Sequence, residues 1–317
     1  MKIKQIKNIF PSTSPIARYN VAVWQKPGED SLSFIGREVA SPGQLGQPDT
    51  GMLIVFEVGV DGSVLHEKVI WKPIYDGINL EDPRALELPN ENLIIGLTAV
   101  LRDKKGSPIP FPAIVKIDSF SSWEKELPPF LIIDTFGPGK NLTPINKNTY
   151  LFRPDSSDYY HKLIVFTLHS QIPEKLGEIQ FPQDLPWANW RIGTTMPPIW
   201  LSEEEALFII HGITIQKING EDKYVYSIGR AKLISKNGKF DVIVAKDPIL
   251  TPDNFLDENG KPLVQELHPE SRRVVYSCGG VIKKDNPDIL SLFVNVGDRT
   301  TFEVELSIAD LKKDLFE

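Results

Sequence analysis

The chain has 317 residues, 41% of them hydrophobic and 24% charged, a globular composition with enough apolar material for a large core. Its net charge of −7 excludes the broad basic footprint that nucleic acid or an anionic membrane surface requires. A small anionic substrate stays compatible with that charge, because a local basic pocket can sit inside an acidic protein. The single cysteine, Cys278, cannot form an internal disulfide, and the histidines at 66, 161, 169, 211 and 268 lack zinc-type spacing, so no metal site is expected.

From the N-terminus, "MKIKQIKNIF" is basic but has no apolar h-region of a signal peptide. No apolar run approaches the roughly 20 residues of a membrane span. The expectation is a cytoplasmic chain without a membrane partner.

Next come short β-branched and aromatic runs: "NVAVWQ", "LSFIGRE", "GMLIVFEV", "NLIIGLTAV", "AIVKID", "YLFR", "KLIVFTL", "ALFIIHGI", "YVYSIGRAKLI", "RRVVYS" and "LSLFVNV". The 26 prolines and 22 glycines between them leave little room for long helices, which predicts an all-β fold. Only "ELSIADLKKDLF" has a helical period, through Leu306, Ala309, Leu311 and Leu315; a short helix or a last strand running into a turn both fit.

Five times a polar turn opens a hairpin whose second strand ends on a polar residue. Asn20 leads to Arg37, Asp82 to Thr98, Asn141 to Arg153, Thr195 to His211, and Ser277 to Asn295 and Asp298. The onsets lie about 55 to 80 residues apart, a spacing suited to one multi-stranded blade. Five such blades make a β-propeller whose innermost strands line a central channel, where the polar residues would converge. A sandwich of two packed sheets is the alternative that periodicity leaves open. No composition shift divides the chain, so residues 1–317 are read as one domain.

The stretch "NLEDPRALEL" sets Glu81, Asp82 and Arg84 around a proline just before an apolar run. Alone it reads as a charged turn. Arg153 in "YLFRP", Arg191 in "NWRIGTT" and His211 in "LFIIHG" each sit in apolar surroundings. A buried cation is costly unless an anion meets it, and arginine forks suit phosphate oxygens, with histidine adding a donor. A carboxylic acid facing such a cluster fits glycosidic bond cleavage in which phosphate, already anionic, replaces activated water. Trp187 and Trp190 flank this segment and are candidate sugar-stacking platforms, whereas Trp24, Trp71, Trp123 and Trp200 read as core. The "EEE" run at 203–205 reads as a solvated turn, and Cys278 beside two glycines as a small buried residue.

The ordered set "NVAVWQ…FIGRE", "LEDPRAL", "GKNLTPI…YLFRP", "RIGTTMPPI…LFIIHG", "YVYSIGRAKLI", "DPILTP" and "SCGGVI…VNVGD" resembles glycoside hydrolase family 130, the β-mannoside phosphorylases and related β-mannosidases. The resemblance runs from about residue 20 to 298 and implies a five-bladed β-propeller. It implies Asp82 as general acid, passing its proton through a sugar hydroxyl. Arg153, Arg191 and His211 fall on phosphate-binding positions, with Tyr226 (or Tyr224) and Lys140 as further contacts. Asn20, Arg37, Arg84 and Asp298 fall on sugar-pocket positions. The implied reaction joins an oligosaccharide or disaccharide and inorganic phosphate as co-substrate, with no metal or organic cofactor; homo-oligomerisation is left open. The chain departs from the family at Phe152, where histidine is usual, at Arg191, where lysine is usual, and in "NVGD", which replaces a tyrosine-rich motif. Hydrolysis, with Asp298 or Glu266 as base, and a non-catalytic glycan-binding propeller are the competing readings.

Overall fold

A computed structural model describes residues 3, 5–9, 16–26, 28–40, 51–73, 78–89, 92–117 and 129–316. Trp123 lies outside the described residues. After β1 (Gln5–Asn8) the first blade is β2 (Ala17–Trp24), β3 (Leu32–Val39), β4 (Met52–Val58) and β5 (Val64–Trp71). The second is β6 (Asn79–Leu88), β7 (Asn92–Arg102), β8 (Pro108–Ile117) and β9 (Leu131–Ile132). The third is β10 (Gly139–Pro144), β11 (Thr149–Pro154), β12 (Lys162–His169) and β13 (Ile172–Gln180). The fourth holds β14 (Arg191–Thr194), β15 (Ile199–Trp200), β16 (Glu205–Ile218), β17 (Glu221–Lys236), β18 (Lys239–Val244) and β19 (Arg272–Arg273). The fifth is β20 (Val275–Ile282), β21 (Ile289–Val296) and β22 (Thr300–Ser307). β1 pairs antiparallel with β22, so the N-terminal strand completes the last blade.

This is the five-bladed β-propeller, not the two-sheet sandwich. Each blade packs on both faces, which is why its middle strands are almost continuously apolar rather than alternating with polar residues. In β7, Leu93, Ile95, Leu97 and Ala99 enter the seam with the first blade, while Ile94 enters the seam with the third. Five buried clusters fill the five seams between neighbouring blades. The seams are tight: a Cβ on Gly96 would lie 2.4 Å from the Leu142 carbonyl oxygen of the next blade. The C-terminal ambiguity resolves as both readings in succession. Leu306 belongs to β22, and a helix α1 (Ile308–Lys312) follows, capped by the Ser307 hydroxyl, with Leu311 in the core. Among the described residues no helix is long and apolar enough to cross a membrane.

The inner strands share a local device. In β2, β6 and β10 the ladder slips at one point, where two residues face one: Asn20 and Val21, Asp82 and Pro83, Asn141 and Leu142. The first of each pair has positive φ (53°, 52° and 62°), a conformation that asparagine and aspartate tolerate best. "EDPR" is therefore not a turn before a strand but a bulge inside β6. Pro83 fits there because a bulge lacks the ladder bond its missing N–H would break.

Candidate active site

The bulges fix the level at which each blade presents its chemistry. The residue before each bulge pairs with one residue of the second strand: Tyr19 with Arg37, Glu81 with Thr98, and Lys140 with Arg153. Gly193 pairs with His211 and Tyr276 with Asn295 at the same level of the fourth and fifth blades. By this register the fourth blade's counterpart of Asn20 is Thr194, one residue before the Thr195 read from sequence. Arg37, Thr98, Arg153, His211 and Asn295 are all buried around the axis.

A cavity of about 540 Å³ opens at this level. Asn20, Arg37, Asp82, Lys140, Arg153, His211, Tyr226 and Asp298 all line it, as does Tyr224. Two sequence-derived candidates are placed elsewhere. Arg84 is fully buried behind the lining, where its guanidinium donates to the Asp82 carbonyl at 2.8 Å, the Thr194 carbonyl at 3.2 Å and the Tyr276 hydroxyl. It is thus a brace under three blades rather than a contact for a ligand. Arg191 is not part of the lining; it donates to Asp155 Oδ1 at 3.0 Å and lies between the Tyr160 and Trp190 rings, 4.2 and 4.3 Å from their centroids.

Asp82 is held from the neighbouring blade. Asn20 Nδ2 donates to its Oδ1 at 2.6 Å, and Asn295 Nδ2 donates to Asn20 Oδ1 at 2.9 Å and to Asp298 Oδ1 at 2.8 Å. The chain of amides fixes both carboxylates and leaves Asp82 Oδ2 without a hydrogen bond among the described residues. Glu81 points to the other side, accepting from Arg37 at 3.2 Å, Asn79 at 2.9 Å and Lys140 at 3.4 Å. Burial alone would raise its pKa, but Arg37 and Lys140 outweigh that and hold it below the usual carboxylate value.

The cations therefore divide. Arg37 and Lys140 meet Glu81, Arg272 meets Asp298 at 3.4 Å, and Arg191 meets Asp155. Arg153, 6% exposed, has no carboxylate partner among the described residues; its one bond is to the Ile192 carbonyl at 3.5 Å. Burial and the nearby Arg191 charge lower its pKa from the ordinary guanidinium value. His211 is pushed well below its usual pKa by burial and by Arg153 and Arg84, so it is neutral. Its Nδ1 donates to the Thr194 carbonyl at 3.1 Å, which leaves Nε2 as an acceptor rather than the expected donor. The Tyr226 hydroxyl keeps its proton, because burial raises its pKa.

Tyr276, Asn295, Arg272 and Trp190 complete the surroundings. The sequence signals Trp190, and Asn295 as a polar strand end, but not Tyr276 or Arg272. Tyr276 accepts from Arg84 and, at 2.8 Å, from Asn141, joining the second, third and fifth blades. Trp190 and Tyr224 line the cavity with ring centroids 4.5 Å apart. Trp187, in contrast, is core: it lies over Gly212 and Gly229, and its indole N–H donates to the Lys246 carbonyl at 2.9 Å. Trp24, Trp71 and Trp200 also pack in or against the core clusters. Glu203 and Glu204 are exposed in a turn, while Glu205 already opens β16. Cys278 is buried, and burial pushes its thiol up to about 12. Among the described residues no group of three or more metal-ligating side chains is assembled.

No protein-family model matches the chain, and no curated protein does. Solved structures do. A β-1,2-mannobiose phosphorylase from Listeria innocua, in complex with β-1,2-mannobiose, superposes with a TM-score of 0.66 at 15% identity over 98% of this chain and 96% of that one. A structure described under "the GH130 family of mannoside phosphorylases contains glycoside hydrolases that target beta-1,2 mannosidic linkages in Candida mannan" gives 0.57 at 13%, over 96% and 94%. MPT-4, a mannose phosphorylase from Leishmania mexicana in complex with phosphate ion, gives 0.57 at 13%, over 96% and 89%. At these identities the likeness establishes the shared fold.

Proposed function

We propose that the chain is an inverting glycoside phosphorylase, a divergent member of the family its motifs resemble, cleaving a β-mannoside with inorganic phosphate to give α-mannose 1-phosphate. One observation carries this reading: a buried arginine without a carboxylate partner among the described residues, Arg153, shares one cavity with the positioned carboxyl of Asp82. The Listeria relative's mannobiose and the Leishmania relative's phosphate supply the two substrate classes.

Asp82 Oδ2 carries the proton, and Asn20 orients the carboxyl through Oδ1. The proton passes to the glycosidic oxygen by way of a sugar hydroxyl, and the C1–O bond breaks through an oxocarbenium-like state. A phosphate oxygen held by Arg153 and the Tyr226 hydroxyl forms the new bond to C1 from the opposite face, inverting the anomer. His211 Nε2 accepts a hydrogen bond from the P–OH of hydrogen phosphate, whose proton stays on the phosphate, so a neutral histidine selects for the protonated dianion. Lys140, held by Glu81, adds positive potential without a direct bond. Trp190 and Tyr224, packed on each other, give the leaving sugar an aromatic wall.

Hydrolysis would need a second carboxylate as base. Asp298 is occupied by Asn295 and Arg272, and Glu266 does not line the cavity, which favours phosphate as nucleophile. The test is incubation with β-1,2- and β-1,4-mannobioses, with and without phosphate. Phosphate-dependent formation of mannose 1-phosphate supports the reading. Phosphate-independent release of mannose indicates the hydrolase, and binding without turnover indicates the non-catalytic propeller.

A further inference from the structure

The wall of the cavity beside Asp298 is built by residues 266–274, irregular up to β19, which supply His268, Ser271, Arg272 and Val274 to the lining. Three contacts dock it on the tight turn between β21 and β22. Leu267 N–H donates to the Gly297 carbonyl at 2.7 Å, Gly297 N–H donates to the Val274 carbonyl at 2.9 Å, and Arg272 meets Asp298 at 3.4 Å. The turn itself is tight, with Gly297 and Asp298 both at positive φ (68° and 52°), and a Cβ on Gly297 would sit 3.2 Å from Glu266 Cα. Glu266 closes the segment on itself, its Oε1 accepting from Val274 N–H at 3.0 Å. Its other oxygen, Oε2, is buried with no hydrogen-bond partner among the described residues.

A buried carboxylate oxygen without a donor is costly when ionised, whereas a neutral carboxyl has half the problem and gains a proton to give. We propose that Glu266 is a positioning residue which, in its neutral form, clamps residues 266–274 onto the Asp298 turn and so holds the sugar-facing wall of the cavity. The charged groups facing it are Asp298 from the turn and Arg272 and Arg273 from its own segment. Burial and the Asp298 charge push the Glu266 carboxyl up to about 7, against the opposing effects of the Val274 amide, Arg273 and Arg272. The folded protein therefore keeps a proton that the unfolded chain releases near the ordinary value of 4.5. Stability falls as pH rises through that window and is level above it. Ionisation also places a second negative charge beside Asp298, which competes for Arg272 and loosens the wall.

The role in sugar binding rests on the proposed function; the clamp itself does not. Glu266→Gln keeps the acceptor for Val274 N–H, replaces O–H by N–H, and cannot ionise. Thermal unfolding of wild type and variant is compared from about pH 4.5 to 8. The expected result is a Tm difference that grows in favour of the variant up to about pH 7 and then stays constant. A pH-independent difference overturns the proposal. In the second arm, wild-type kcat/KM for a β-mannobiose should decline about tenfold between pH 6.5 and 8.5 through loss of neutral Glu266, with KM for phosphate unmoved, and the variant should be flat there. If the stability effect appears and no β-mannoside is turned over at any pH, the function reading fails and the clamp stands. If the enzyme is active but both pH signatures persist in the variant, the clamp fails and the function reading stands.

Discussion

Asn20 and Asp82 belong to the inner strands of adjacent blades, both at a bulge with positive φ, and the asparagine amide donates to the aspartate Oδ1 at 2.6 Å. Two positions 62 residues apart are thus locked at the mouth of the axis, with one carboxyl oxygen engaged and the other open among the described residues. Asp82→Asn preserves that size and shape but removes the proton. General acid catalysis contributes about 10²–10⁴-fold, so turnover should fall by that order while the variant stays folded. A β-mannoside with a very good leaving group should recover much of the loss. Glu81→Gln should do less, because Glu81 faces Arg37 and Lys140; inactive Glu81→Gln beside near-normal Asp82→Asn would reverse the assignment.

Arg153, which meets no carboxylate among the described residues, makes a separate claim on phosphate. Arg153→Ala removes a charge-assisted contact worth about 1.5–3 kcal/mol, so KM for phosphate should rise roughly 10- to 100-fold with KM for sugar little changed. Arg191→Ala should have the smaller effect, because Arg191 is already paired with Asp155 and stacked between two rings. Initial-rate kinetics with phosphate and sugar varied in turn would distinguish the two, and equal effects would show that Arg191 turns inward to the anion.

Arg84 carries a stability prediction. Arg84→Met should take one donor from the Asp82 and Thr194 carbonyls and from the Tyr276 hydroxyl, which keeps Asn141, and leaving buried acceptors short of a donor costs about 1–3 kcal/mol. Urea denaturation measures this directly. A change below about 1 kcal/mol would mean that the brace does not hold the blades together.

His211 sets the acid side of the stability profile. Its folded pKa lies well below the ordinary 6.5, so its contribution is intact above 6.5 and is lost as pH falls through the window beneath it. His211→Gln should flatten the decline in Tm below about pH 6.5. An unchanged slope in the variant would place the acid-labile group elsewhere.

Much of this site is readable in the chain because asparagine and aspartate mark backbone positions as well as chemistry. Asn20, Asp82 and Asn141 recur at hairpin onsets since few other residues accept positive φ, and Arg37, Arg153 and His211 stand out as polar ends of apolar strands. What sequence leaves hidden depends on ring closure. The Asn295–Asn20 bond spans 275 residues, and the approach of Tyr276 to Arg84 spans 192, so neither pair has a local signature. Arg84 illustrates the cost of that blindness: a basic residue in apolar surroundings reads alike whether it faces a ligand or a tyrosine. Trp187 and Trp190 look equivalent too, until Gly212 and Gly229 reveal which indole has a floor to lie on.

The central claim is that proton donor and phosphate act on opposite faces of one sugar. The most direct measurement is time-resolved proton NMR of the wild-type protein with β-1,2-mannobiose and phosphate, reading the anomer and the substituent of the first mannosyl product. The account predicts α-mannose 1-phosphate as that first product, formed only with phosphate and at least about 100-fold more slowly by Asp82→Asn. Free mannose formed at the same rate without phosphate, or a β-linked phosphate ester, would contradict it.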